Sequence, residues 1–376
     1  MIADLLAAAA LAVWVGLIGV RGGFWLARER DTRGVPAGPA AWPPVVAVVP
    51  ARDEAEVIGT SIGSLLAQDY PGPFRVLLVD DASSDGTAAI ARRLAGAERL
   101  EVVAGQVLPN GWTRKLWAVA QGVEAAGVEP RYLWLTDADI AHAPDTLRSL
   151  VARAEGQGLV LVSLMAKLRC DSAAERALIP AFVFFFQMLF PFGQVNRPDG
   201  IGAAAGGCML VRRDALAAAG GIAAIRTALI DDCALGAALK RRGRVWLGLT
   251  DRSRSIRPYD TAGTIAAMIS RSAYAQLGYS PIVLLGTLAG LALVYGAPPA
   301  FALFGNGAAR LAGLAAWVLM ALAFQPMLRF YRRSPLWGVV LPGIAAFYAG
   351  CTLLSAWQHH QGRGGMWKGR AQAPGQ

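Results

Sequence analysis

Apolar residues in this chain are gathered into blocks at residues 4–20, 177–192 and most of 281–357, and the stretch between the outer blocks carries ordinary charge. Blocks of that length exceed what a small soluble core can hide, so the arrangement predicts a soluble domain held to a membrane at both ends. The composition agrees: 55% of the 376 residues are hydrophobic and only 16% are charged.

Residues 4–20 contain no charge after Asp4 and are followed by Arg21, Arg28, Arg30 and Arg33. A cleavable signal peptide carries its positive charge before the apolar stretch, not after it. Residues 1–27 therefore read as a retained anchor, with the N-terminus outside and residue 28 onward in the cytoplasm of a cell bounded by a bacterial-type plasma membrane. Three further spans are expected, at about 281–304, 309–328 and 336–357. Gly296-Ala297-Pro298-Pro299 is expected to break the first of them or make it re-enter. Four simple spans put the C-terminus outside, against the basic tail at 358–376 with Arg363, Lys368 and Arg370. The block at 177–192 is short for a span and is bracketed by Pro180 and Pro191. It reads either as a buried core helix or as an interfacial helix, and 261–278 is a second interfacial candidate.

The net charge of +10 raises the question of a polyanionic partner. The Arg residues cluster beside the apolar blocks, at 21–33 and at 329–333, so the membrane accounts for them and no nucleic-acid partner is expected. Cys170, Cys208, Cys233 and Cys351 show no paired spacing, and His142, His359 and His360 are scattered, which leaves no zinc motif or disulfide framework.

Between the blocks, strand and helix patterns alternate. Val45–Val49 and Phe74–Val79 read as buried strands, and Leu100–Val103 and Tyr132–Leu135 as further strands. Glu54–Gln68, Ala88–Ala95 and Thr113–Ala126 read as helices between them. Alternation of this kind predicts an α/β domain with a mainly parallel sheet and helices on both faces. Ligands of such sheets bind beyond the carboxyl ends of the strands, and that is where Asp80-Asp81 and Asp137-Ala138-Asp139 fall. In an extended segment Asp137 and Asp139 point the same way, as two ligands of a hard divalent cation would. The plainer alternative is that they begin a loop. Lys115 stands near a helix start, where a cation and backbone amides can meet a diphosphate. Asp231-Asp232 opens a helix over Cys233–Lys240, as a plain cap or as a general base. The glycine-rich run Gly200–Gly207 leads into a strand, Cys208–Val211, rather than a helix, so it is not a dinucleotide loop. Its small residues instead allow a substrate to approach the backbone closely.

Six segments together resemble the family 2 inverting glycosyltransferases of the GT-A fold, a Rossmann-like architecture. They are VVPARDEA (Val48–Ala55), VLLVDDASSDGT (Val76–Thr87), GWTRKLWA (Gly111–Ala118), LWLTDADI (Leu133–Ile140), GGCMLVRRDAL (Gly206–Leu216) and DDCALGAALKRRG (Asp231–Gly243). The hopene-associated branch is similar in ISRSAYAQLGYS (Ile269–Ser280) and MWKGR (Met366–Arg370). The resemblance implies a GT-A domain over 28–280 followed by membrane helices over 281–357. It implies a nucleoside pocket lined by Pro50, Arg52, Glu54, Asp80 and Asp81, with Lys115 on the diphosphate. Asp137 and Asp139 would hold Mg²⁺ or Mn²⁺ and the donor phosphates, Asp232 would be the catalytic base, and Asp231 and Arg271 would stand on the donor side. The implied partners are a nucleotide-sugar donor, of the uridine diphosphate kind, and a polyprenyl or hopanoid-type lipid acceptor. Two departures stand out. Arg114 replaces a small residue before the lysine, and the QxxRW motif of processive synthases is absent, with Arg271 in a comparable place. The rivals are a processive polysaccharide synthase and a catalytically silent lipid-binding scaffold.

The predicted orientation is open to direct test. In an otherwise parental chain, Ser84→Cys is expected to react with a membrane-impermeant maleimide only after cells are opened. Extra labelling in intact cells would place the soluble domain on the opposite side.

Overall fold

A computed structural model of the chain describes residues 1–367 and 370–371; the remainder of the expected basic tail, Lys368 included, and part of the MWKGR segment lie outside the described residues. The chain divides into two compact units, one made of Met1–Arg28, Cys170–Gly193 and Tyr259–Gly365, the other of Glu29–Arg169, Gln194–Pro258 and the tail from Met366.

The second unit is built on an eight-stranded sheet: β1 (Val45–Ala51), β2 (Phe74–Asp80), β3 (Leu100–Ala104), β4 (Tyr132–Leu135), β5 (Ile140–His142), β6 (Leu161–Lys167), β7 (Met209–Arg212) and β8 (Val245–Ser255). Their spatial order is β3-β2-β1-β4-β7-β6-β8-β5. The neighbours among β3, β2, β1 and β4 are parallel, as are β6 and β8, while β7 runs against β4 and β6, and β5 against β8. This is the mixed, mostly parallel α/β sheet that the alternating pattern implies. Every residue of β1 is buried, as expected of a β-branched strand covered on both faces. Helices Ala55–Leu66 and Arg114–Ala125 follow β1 and β3, and each puts its apolar side into the core. Strands β5, β6 and β8 go unpredicted. β8 continues past its apolar start into Thr250-Asp251-Arg252-Ser253-Arg254, which reads as surface loop.

The segment that follows residue 28 is fastened to this unit by a buried acid. Asp31 accepts from Arg252 Nη1 at 3.0 Å, and Arg153 donates to the Asp31 carbonyl at 3.1 Å while its guanidinium lies 3.9 Å from the Trp246 ring centre.

The first unit is helical. Among the described residues four helices are long and apolar enough to cross a membrane: Ile2–Val20, Ala173–Val195, Pro281–Phe304 and Gly307–Phe330. Two expectations need correction. The block at 177–192 becomes helix Ala173–Leu189, which a capping box at Ser172 and Glu175 starts earlier, followed by the short turn of helix Phe192–Val195. More than half of its most apolar window is buried within the protein, so it serves as a packed core helix whatever else it does. Arg21 caps its far end, donating from Nε and Nη2 to the carbonyls of Met188 and Leu189, each at 3.1 Å. The expected span at about 336–357 is helix Leu341–His360, which falls outside the set of four.

The expected break at Gly296–Pro299 does not occur either. The helix continues through a π-helical turn at Ala292–Gly296. Pro298 and Pro299 cannot donate the i+4 or i+5 hydrogen bond that the Val294 carbonyl would ordinarily receive. Trp14 of the first helix takes their place, its indole Nε1–H donating to Val294 O at 2.8 Å. Trp14 is fully buried and meets Tyr295 edge-on at 5.5 Å. A carbonyl left unpaired in an apolar interior costs about 1–3 kcal/mol. Trp14→Phe keeps the aromatic contact and removes the donor, so it is expected to destabilise the chain by that amount, seen as a lower Tm in detergent. An unchanged Tm would mean that the carbonyl finds another donor.

Candidate active site

The carboxyl ends of β1, β2 and β4 lie side by side because the strands are parallel and in register, with Ala51 opposite Asp80 and Val48 opposite both Leu77 and Leu135. The loops that follow carry the acidic residues. After β1, Arg52 donates to the Asp81 carbonyl and lies 3.6 Å from the Asp81 carboxylate. Asp53 sits in the left-handed region at φ 48°, held there by Ser84 N donating to its Oδ1 at 2.8 Å and by its own N–H donating to Ser83 Oγ at 3.0 Å. Glu54 N donates to Thr87 Oγ1 at 2.8 Å, and Ala55 N to Asp85 Oδ2 at 2.9 Å. Thus SSDGT is more than a cap for its own helix: it ties the β2 loop to the β1 loop. Pro50, Arg52, Glu54, Asp80 and Asp81, the expected nucleoside pocket, are all on these two strand ends.

Lys115 is in the first turn of helix Arg114–Ala125, whose N-cap Thr113 accepts from Leu116 N. Its Nζ lies 2.8 Å from Asp137 Oδ1 and 3.0 Å from Asp231 Oδ2, joining the β4 end to the start of helix Asp231–Lys240. Burial opposes the charge on Lys115, but Asp137 and Asp231 overcome that and raise its pKa. Burial raises the Asp137 pKa, with the charges of Asp139 and Asp231 adding to it and Lys115 opposing.

Asp139 differs from expectation. The segment after β4 is not extended: residues 138–139 form a turn, with Ile140 N donating to Asp137 O at 3.3 Å. Asp137 and Asp139 consequently pair with different cations. Asp139 Oδ2 accepts from Arg257 Nε at 2.7 Å, and Arg257 Nη2 donates to both oxygens of Glu54, at 2.6 and 2.7 Å. Arg257 was absent from the expected site. Its only sequence signal is a position just after a strand and before Pro258, which keeps it extended.

Asp232 is set apart chemically. Its Oδ2 accepts from Gly206 N at 2.9 Å and its Oδ1 from Cys233 N at 2.7 Å. Burial, then the neighbouring charge of Asp231, push its pKa up to about 6, against the pull of Lys115. Gly206 explains part of the glycine-rich run, since a Cβ there would come within 3.4 Å of Asp232 Oδ2 and 3.7 Å of Lys115 Nζ. Gly202 serves packing instead, because a Cβ there would strike the backbone of helix Asp231–Lys240 at Ala237 and Gly236. A small cavity adjoins Lys115, Asp137, Asp231 and Gly206, walled by Pro50, Leu135 and Met209 among others. Arg271 is elsewhere in the chain's organisation: it is the C-cap of helix Ala262–Ser270 in the helical unit. His142 takes no part, because burial depresses its pKa to about 3 and both its ring nitrogens meet hydroxyls, of Thr136 and Ser253.

These carboxylates fit a divalent cation. Asp137 Oδ1 and Asp139 Oδ2 each meet a cationic side chain, and the burial that raises the Asp137 pKa is a cost that an added positive charge would relieve. Among the described residues no group of three or more His, Cys, Asp or Glu forms a cage, so such an ion would complete its shell with water and substrate oxygens.

Comparison with known proteins agrees with this architecture. Residues 46–220 match the family described as Glycosyl transferase family 2. An N-acetylglucosaminyltransferase of Mesorhizobium japonicum is 27% identical over 152 residues, covering 39% of this chain. The matched region spans about a third, 34%, of that curated relative's length. Among solved structures, mannosyltransferase PcManGT from Pyrobaculum calidifontis, in complex with GDP-Man and Mn²⁺, aligns over 95% of this chain and 99% of its own, with a TM-score of 0.56 and 19% identity. Residues 46–220 are thus similar to a family 2 glycosyltransferase domain, the fold is of the GT-A kind, and the chain has helices able to span a membrane.

Lys115 is the electrostatic centre of the acidic cluster, and removing its charge should be felt at Asp232. Because Lys115 holds the Asp232 pKa down, Lys115→Met is expected to move that carboxyl's midpoint above about 6. Infrared titration of the carboxyl bands reads the shift. A midpoint that stays in place would show that the two residues are not coupled.

Proposed function

We propose that this chain is a membrane-anchored inverting glycosyltransferase that moves one sugar from a nucleotide-sugar, of the uridine diphosphate kind, to a lipid acceptor of polyprenyl or hopanoid type, within the hopene-associated branch. Its catalytic domain faces the cytoplasm, where nucleotide-sugars are made. The observation that carries the reading is the contrast among the clustered carboxylates. Asp137 and Asp231 share Lys115, and Glu54 and Asp139 share Arg257, whereas Asp232 accepts from backbone N–H groups and has its pKa lifted to about 6. Carboxylates whose environments push them apart in this way mark acid-base roles.

On this reading Asp232 takes the proton from the acceptor hydroxyl as that oxygen attacks the anomeric carbon. Gly206 N–H and Cys233 N–H hold the carboxylate in place for it. Lys115 offsets the charge that builds on the departing nucleoside diphosphate. Asp137 and Asp139 would hold Mg²⁺ or Mn²⁺, which when bound supplies Lewis-acid neutralisation of the donor phosphates. A neighbour of the same fold binds GDP-Man with Mn²⁺, which supports a divalent ion here without naming the ion or the nucleotide. Arg52 and Asp81 shape the nucleoside side. Attack from the face opposite the leaving group gives inversion, and the missing QxxRW motif favours single transfer over polymer synthesis.

Binding and chemistry separate experimentally. Asp232→Asn keeps size and loses basicity, so it is expected to bind UDP or GDP with Mn²⁺ as the parent does and to lose transfer by about 10²-fold or more. The parent's kcat/KM should rise as pH climbs through about 6, because the base works only when deprotonated, and the variant should lose that limb. Asp139→Asn should weaken nucleotide binding itself, and EDTA should do the same to the parent. Calorimetry beside a transfer assay distinguishes them; parental transfer by Asp232→Asn would reduce Asp232 to a helix-start residue.

A further inference from the structure

Arg257 has no counterpart in the sequence expectations, yet its geometry is demanding. The side chain is 29% exposed and lies between two carboxylates that are themselves 8% and 17% exposed, Glu54 and Asp139. A guanidinium carries five N–H donors in a rigid plane. Here Nε is given to Asp139 Oδ2 and Nη2 to Glu54 Oε1 and Oε2. Among the described residues none of the Arg257 contacts uses Nη1, whose two N–H groups diverge from one nitrogen and remain able to donate singly.

The electrostatics of the cluster define what that edge suits. An anion entering beside Asp137, Asp139 and Asp231 meets repulsion, which only nearby cations relieve. Lys115 is shared between two of those acids, while Arg257 is clamped by Asp139 and Glu54 from the other side. Clamping removes most of the rotamer freedom that an arginine would otherwise lose on binding, so the guanidinium is pre-organised to donate from Nη1 to an oxyanion. The backbone reinforces the placement, since Ile256 N donates to Asp139 O at 2.9 Å and carries Arg257 to its partners.

We infer that Arg257 is a donor-binding residue, held by Glu54 and Asp139 so that its Nη1 edge receives the diphosphate of the nucleotide-sugar. The inference rests on the glycosyltransferase reading and deepens it. Glu54 thereby gains a role distinct from lining the nucleoside pocket: it positions Arg257. The arrangement also explains why a single buried glutamate at the start of a helix is given a bidentate cationic partner 203 residues away.

The test uses the full chain in detergent, with Mn²⁺ and separately with EDTA, titrated calorimetrically with UDP, GDP and inorganic pyrophosphate. Arg257→Gln is expected to weaken pyrophosphate and whichever nucleoside diphosphate the parent binds by the same factor, about tenfold to a hundredfold, as befits a lost charge-assisted pair. A distorted pocket would not give matching losses for a probe with a nucleoside and one without. Arg257→Lys keeps the charge and guards against misfolding of the glutamine variant; it should fold and bind pyrophosphate more weakly than the parent, because an ammonium that holds both acids has no second nitrogen like Nη1 left to donate outward. Parental pyrophosphate affinity in a folded Arg257→Lys or Arg257→Gln protein would overturn the inference and leave the glycosyltransferase reading standing. A parent that binds none of the three probes with Mn²⁺ would overturn both.

Discussion

The ammonium of Lys115 between Asp137 and Asp231 is the contact on which the candidate site depends. It joins three separately folded pieces: the end of β4, the first turn of helix Arg114–Ala125 and the start of helix Asp231–Lys240. Without it, two partly exposed carboxylates from different elements would lie together with no ammonium between them, and the charge of Asp139 would add to the repulsion at Asp137. Breaking such a pair costs more than making it returns, because the partners left behind keep their desolvation penalty. Lys115 is therefore an architectural residue, and on the proposed reading a ligand-binding one as well.

The same logic of supplying a missing partner recurs in the helical unit. There the deficit is a backbone carbonyl rather than a charge. Two successive prolines remove the donors due to Val294, and an indole from the first helix replaces them. In an apolar surrounding water cannot take that place, so the first helix is bound to the prolines by a specific need as well as by packing. Arg21 does comparable work at the end of the helix that starts at Ala173, supplying donors to its last carbonyls.

What was legible in the sequence was whatever local pattern controls. Apolar runs gave β1, β2, β3 and β4 nearly to the residue, and the acids at the ends of β2 and β4 were read correctly as strand-end residues. Lys115 was legible because a helix start is a local signal. Three features escaped for physical reasons. The turn at residues 138–139 depends on a weak local bond, Ile140 N to Asp137 O, and no residue there demands it. Arg257 lies 118 residues from Asp139 and 203 from Glu54, so nothing local ties it to either. β8 mixes charged residues into a strand covered unevenly, which removes the alternation that would reveal it. Gly296–Pro299 was misread in the opposite sense, as a break, because the remedy is held by Trp14 near the other end of the chain.

The contrast between Lys115 and Asp232 carries one more consequence. Asp232 is held near 6 by opposed influences: burial and Asp231 raise its pKa, while Lys115 and two backbone N–H groups lower it. Any anion brought against Lys115 competes for that ammonium's field and weakens its pull on Asp232, so the carboxylate becomes more basic as the anion arrives. A cation taken up by Asp137 and Asp139 acts the other way. On the proposed reading, a carboxyl near 6 is mostly ionised at neutral pH and still basic enough to accept a proton. An acid placed among acids thus gains its basicity from burial and its availability from a lysine, and neither influence alone would leave it usable.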